Sequence, residues 1–157
     1  MDEVKVDALD ARLMLLLHDE PRLGVLECAR RLGVARGTVQ SRMDKLAARG
    51  VITDFGPAVE PARMGYPVLA FVSLEIVQGR LDEAVAGLRR VPEVLEAHSV
   101  TGARDLLCRV VARDNGHLQD VINGMLHTGA VQRSMSTISM TRQIPYRVEP
   151  LIGAAVS

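Results

Sequence analysis

The apolar positions of the N-terminal third recur at helical spacing. Leu9, Leu13, Leu16 and Leu17 form one stripe behind a capping Asp7, which predicts a helix over about Ala8–His18. The stretch "EPRLG" breaks it. A short second helix, about Val25–Leu32, buries Leu26, Cys28 and Ala29 and stops at Gly33. Val39, Met43 and Leu46, at i, i+4 and i+7, mark a third helix over about Arg36–Arg49, with Gly50 as its stop. "VITDFGPAVE" then offers two short extended runs around Gly56-Pro57, the pattern of a small hairpin.

From Gly56 to Pro67 the chain carries three prolines and two glycines in twelve residues, and beyond it the period changes. "VLAFVSLEIV" (Val68–Val77) predicts a strand, Leu81, Ala84, Val85, Leu88 and Val91 an amphipathic helix, and "VLEAHSVT" (Val94–Thr101) a second strand. After Gly102, "DLLCRVVA" (Asp105–Ala112) reads as a third strand. Leu118, Val121, Ile122, Met125 and Leu126 mark another helix, and "VQRSMSTISM" (Val131–Met140) reads as a fourth strand. Two βαβ halves with right-handed crossovers make a ferredoxin-like split sheet with both helices on one face. Its other face also carries Val, Leu, Phe and Ile, so it needs a cover, which a second copy of the chain provides most economically. The fold class is α+β. Residues 1–55 form a helical domain, 56–66 a linker, 67–142 the βαββαβ domain and 143–157 a C-terminal tail.

Charge adds what periodicity does not. The 157 residues balance 19 basic against 19 acidic side chains, yet residues 22–50 hold seven basic residues (Arg22, Arg30, Arg31, Arg36, Arg42, Lys45, Arg49) against Glu27 and Asp44. That local surplus falls on two helices joined by a tight turn at Gly33, the outline of a helix-turn-helix, which lays the start of its second helix in the major groove of DNA. The apolar stripe of the third helix leaves Gly37, Thr38, Ser41 and Lys45 on or near its free side, with Arg36, Gln40 and Arg42 at the margins. Arg pairs bidentately with guanine, Gln with adenine, and Ser or Thr serves bases or phosphates. The predicted DNA contacts are therefore Arg36, Thr38, Gln40, Ser41, Arg42 and Lys45. Arg22, Arg30, Arg31 and Arg49 are assigned to phosphates.

Other chemistries find little support. The run Leu13–Leu17 is far too short to span a membrane, and acidic Asp2 and Glu3 stand where a signal peptide would be basic, so a cytoplasmic location is expected. Cys28 and Cys108 lie 80 residues apart and read as small buried apolar residues. His18, His98, His117 and His127 have no ligand spacing, so no metal or other cofactor is expected. No GxSxG, P-loop or GxGxxG occurs.

The segments "LDARLMLLLHDEPR", "LGVARGTVQSRMDKLAARGVI", "MGYPVLAFVSLEI" and "VLEAHSVTGARDLLCRVVA" resemble, in order and spacing, the Lrp/AsnC (feast/famine) transcriptional regulators over about residues 7–142. The resemblance implies an N-terminal winged helix-turn-helix followed by a ferredoxin-like βαββαβ effector and oligomerisation domain. It implies a regulator of transcription, not an enzyme, with three partners: double-stranded DNA, an amino acid or related small metabolite as effector, and further copies of the chain, as homodimers assembling to an octamer. The turn "VTGARD" matches the family's effector segment, which carries the effector role to Thr101, Gly102, Arg104 and Asp105 and, on the last strand, to Ser134 and Ser136, where the family has paired threonines. Exposed amides in such a turn hold a carboxylate and an aspartate receives an ammonium group. The chain departs from the family at Ala35, where a capping serine is usual. Two alternatives stand beside this reading: an architectural DNA-coating protein without effector, and a sirohaem-decarboxylase-like enzyme of the same fold, for which His98 is the candidate residue.

Overall fold

The computed structural model describes residues 6–127 and 129–156. They form two compact units: one runs to Ala58 and resumes at Ile144, and the other spans Val59–Gln143.

In the first unit, α1 (Ala8–Asp19) begins with a reciprocal cap. The Asp7 carboxylate accepts the Asp10 N–H at 2.9 Å, and the Asp10 carboxylate accepts the Asp7 N–H at 3.2 Å. Helix α2 (Val25–Leu32) ends at Gly33, whose φ of 69° is the left-handed conformation that lets the chain turn at once into α3 (Arg36–Ala48). Ala35 provides no side-chain cap for α3. Leu13, Cys28, Ala29, Leu32 and Val39 close the core, with Leu9, Leu16, Leu17 and Met43 packed around them. Leu26, expected inside, is exposed; α2 turns Cys28, Ala29 and Leu32 inward instead.

The hairpin expected over Val51–Glu60 does not form. Val51 and Ile52 donate their N–H groups to the carbonyl of Leu46 at the end of α3, and Pro57 has none to give, so the two runs have no ladder to share. Among the described residues the helix-turn-helix therefore lacks a β-wing. The C-terminal tail also differs from expectation: Glu149–Ala154 form a helix, α6, that packs on α1.

The second unit follows the expected βαββαβ order: β1 (Val68–Ile76), α4 (Leu81–Leu88), β2 (Val94–Ser99), β3 (Leu106–Ala112), α5 (Asn115–Leu126) and β4 (Val131–Ile138). The sheet order is β2-β3-β1-β4, antiparallel throughout, with β1 between Leu106–Ala112 on one side and β4 on the other. A short 3-10 turn, Pro61–Met64, precedes β1, and Glu60 pairs with Arg142 at 3.0 Å, so part of the expected linker belongs to this unit.

Alternation along β1 decides which face each residue serves. Ala70, Val72 and Leu74 are fully buried with Leu106, Cys108 and Val110 of β3, against Ala84 and Leu88 of α4 and Leu118, Val121, Ile122 and Met125 of α5. On the opposite face Phe71 is 41% and Met135 54% exposed. Helix α4 stops at Leu88, short of the expected Val91; the Arg90 and Val91 amides instead donate to the carbonyls three residues back, Gly87 and Leu88, as the chain turns ahead of Pro92.

Candidate nucleic-acid interface and effector turn

Helix α3 divides its side chains between two jobs. Val39 and Leu46 are buried and Met43 is half-buried. Arg42 lies in the same stripe, three residues after Val39 and four before Leu46. Its Nη1 donates to the Asp7 carboxylate and, at 2.9 Å, to Oδ1 of Asp10. These bonds hold the Asp7 carboxyl below the usual carboxylate range, the Arg42 hydrogen bond first and the Asp10 amide second. Arg42, predicted at the margin of the DNA face, is thus turned inward onto the start of α1.

The outer face of α3 is a continuous shallow surface of Gly37, Gln40, Ser41, Asp44, Lys45 and Ala48. The Gln40 amide donates to the Asp44 carboxylate at 2.9 Å, which aligns both side chains along the helix. Asp44 was missing from the predicted contacts, although its place four residues after Gln40 puts it on this face. A Cβ added at Gly37 would meet no atom within 4 Å, so packing among the described residues does not require glycine there. Arg36 is exposed and Thr38 half-buried. Of the predicted residues, Gln40, Ser41 and Lys45 lie on this face, Arg36 and Thr38 stand in the first turn of α3, and Arg42 is turned away from it.

The basic surplus is partly neutralised at close range. Arg30 bonds Glu27 at 2.8 Å, and Arg31 bonds both Glu27, at 3.0 Å, and Glu20. Hydrogen bonds from Arg30 and then Arg31 bring the Glu27 carboxyl down to about 2. Among the described residues Arg22, Arg36, Lys45 and Arg49 have no acidic partner, so the positive charge that residues 22–50 leave unpaired lies on these four.

In the second unit, residues 100–105 close the β2-β3 hairpin. Gly102 adopts a φ of 110°, and Thr101 and Gly102 are exposed. Asp105 stitches the turn to the end of β1: its N–H donates to the Leu74 carbonyl at 2.9 Å, and its Oδ2 accepts the Ile76 N–H at 2.7 Å. That second bond falls where the β1-β4 register shifts between Glu75 and Ile76. Arg104 reaches Glu75 at 2.8 Å. Ser134 and Ser136 sit opposite Leu74 and Val72, on the helix-covered side of the sheet, whereas Glu75, the partner of Arg104, belongs to the other side. The structure thus gathers Thr101, Gly102, Arg104 and Asp105 at one sheet end and sets the two serines across β1 from them. His98, in β2, hydrogen-bonds Glu96 at 2.7 Å.

Both cysteines are buried, and burial pushes the Cys108 thiol up to about 11. Among the described residues no cluster of three His, Cys, Asp or Glu side chains is placed to hold a metal ion, and no helix is long and apolar enough to cross a membrane.

A helix-turn-helix with an open polar face on its second helix, followed by a split-sheet unit, defines a two-domain DNA-binding protein. The AsnC-type helix-turn-helix domain matches residues 6–47, and the Lrp/AsnC ligand binding domain matches residues 69–148. An uncharacterised HTH-type transcriptional regulator of Pyrococcus abyssi is 32% identical over 120 residues, 76% of each chain. Escherichia coli AsnC superposes with a TM-score of 0.82 at 28% identity, covering 92% of this chain and 99% of that one. A transcriptional regulator of Neisseria meningitidis, solved as its L-Met complex, has the same fold, with a TM-score of 0.81 at 20% identity over 92% of this chain and 98% of its own. The chain belongs to the Lrp/AsnC family of transcriptional regulators.

The acid limb of stability tests the ion pairs of α2. With Glu27 at about 2 in the folded chain against an ordinary 4.5, its contribution is complete above pH 4.5 and is lost as pH falls towards 2. Glu27→Gln should flatten the fall in melting temperature across that window. Melts of parent and variant that stay parallel from pH 5 to pH 2.5 would show that Glu27 contributes nothing there.

Proposed function

We propose that this regulator reads an operator through the outer face of α3, works as a homo-oligomer in the cytoplasm, and answers to an amino acid or related metabolite bound at its second unit, acting by binding and not by catalysis. The open surface of Gly37, Gln40, Ser41, Asp44 and Lys45 carries this reading. Gln40 and Ser41 suit base edges, Asp44 suits the amino group of cytosine, and Lys45 and Arg36 suit phosphate or guanine. Arg42 serves from behind, by fixing α3 against α1.

Two observations support the remaining parts. The turn Thr101–Asp105 is exposed at Gly102, and Asp105 uses Oδ2 for the Ile76 amide, which leaves Oδ1 as an acceptor for an ammonium group. The Neisseria relative holds L-methionine, an effector of this chemical class. For assembly, the exposed sheet face with Phe71 and Met135 has a second copy as its fitting cover, and four such dimers would make the octamer.

Three outcomes test these parts. Arg36→Ala and Lys45→Ala should each weaken binding to a selected operator, by about 1–3 kcal/mol where a base contact is lost, or with a salt slope shallower by about one where a phosphate contact is lost. Unaltered affinity in the double variant, read by fluorescence anisotropy at several salt concentrations, rules out this face. Gly102→Gln, strained at its positive φ, and Asp105→Asn, which keeps an acceptor for the Ile76 amide, should abolish the thermal shift given by the best ligand of an amino-acid and keto-acid screen, while leaving effector-free DNA binding intact. A retained shift in both moves the effector site elsewhere. Phe71→Asp should reduce the assembly in sedimentation velocity, and an assembly of parental size would mean that this face is not the interface.

A further inference from the structure

Residues 149–156 lie beyond both matched family domains, yet they are tied into the DNA-binding unit. Val148 and Ile152 share a cleft of about 590 Å³ with Met14 and Leu17 of α1 and with Ile52 and Phe55 of the segment after α3. Glu149, in the first turn of α6, meets the imidazole of His18, in the last turn of α1. Leu151, in contrast, is 71% exposed. A helix of six residues does not persist alone, because so short a segment never repays its nucleation. Docking sustains α6, so docked and released are its two states.

The chain leaves the DNA-binding unit at Ala58 and re-enters it at Ile144, which makes two covalent connections to the second unit. The second connection begins where β4 ends. Ser139 N–H donates to the Leu69 carbonyl at 2.8 Å, Arg142 holds Glu60 at 3.0 Å, and only Gln143–Val148 separate these anchors from α6. We infer that Ile144–Val156 is a strap, anchored by β4 at one end and by α1 at the other, whose docking sets DNA affinity. Docked, it steadies α1, and α1 steadies α3 through Asp7, Asp10 and Arg42. Released, it leaves both helices looser and DNA binding weaker. On the effector reading above, ligand contacts at Ser134 and Ser136 would act on this strap through β4; the strap's own role stands apart from that reading, and its test uses no effector.

In the full chain, Ile152→Asp places a charge in the apolar dock, and Leu151→Asp places the same charge on the exposed side of the same helix. Hydrogen exchange is read at the amides of α1, α6, β1 and β3, and affinity is read by anisotropy with a fluorescent duplex selected by the parent protein from random sequence. Ile152→Asp should speed exchange in α6 and α1, spare β1 and β3, and weaken binding by roughly fivefold or more, the lower range of coupling between sites. Leu151→Asp should change none of these. The inference fails if α6 is released while α1 protection and DNA affinity stay parental, if Ile152→Asp leaves α6 protected, or if both variants behave alike. Should Ile152→Asp loosen β1 and β3 as well, Ile152→Ala decides, with the same pattern expected at smaller amplitude.

Discussion

Helix α3 must be gripped on one side and left open on the other, and the 3.6-residue period fixes which side chains do which. Val39 and Leu46 supply the apolar grip, and Arg42, between them, supplies an ionic one. The carboxylates it meets are those that cap α1, so the start of the first helix and the middle of the third are set by one cluster. A small core gains orientation in this way: apolar contacts alone permit a helix to roll about its axis, whereas a guanidinium held by two carboxylates does not. The outer face of α3 can therefore be polar over most of its length without loss of position.

The same cluster changes how the basic block is understood. Seven cations in 29 residues suggest a broad electrostatic footprint, but Arg30, Arg31 and Arg42 are spent on Glu27, Glu20, Asp7 and Asp10. Counterion release depends on the cations still free to meet phosphate, so composition overstates the charge available to a polyanion, and Gln40, Ser41 and Asp44 occupy the open face beside Lys45. An acidic side chain among them fits this balance, since it costs affinity for phosphate everywhere and gains only where a donor faces it.

Helix and strand identities were legible because each segment carries a full period of its pattern: α2 falls at Val25–Leu32 as predicted, and the four strands lie within a few residues of their expected bounds. What escaped had no local signal. Arg42 was placed at the margin of the free side as a candidate base contact, although its spacing from Val39 and Leu46 marks the inner stripe. The hairpin after α3 has the right residue types, but its first amides are taken by the Leu46 carbonyl. Helix α6 has two apolar residues on its docking side and depends on α1 for its existence, which a reading of residues 143–157 alone does not reveal. Asp105 was recognised as a turn residue with a carboxylate to offer; the structure adds that one oxygen is already committed to the end of β1.

That commitment bears on how the second unit can move. Strand β1 is paired on both edges, and its buried residues anchor the core, so it is the part of the sheet least able to shift. Asp105 fastens the turn to this rigid strand, which keeps Thr101–Arg104 in place as a platform. The serines lie on β4, an edge strand with a free side and an irregular register at Glu75/Ile76. Thr101–Arg104 thus stand beside the most firmly held strand of the sheet, and the two serines on an edge strand paired on one side. Beyond β4 the chain runs through Ser139 and Arg142 to α6 without a further helix or strand among the described residues.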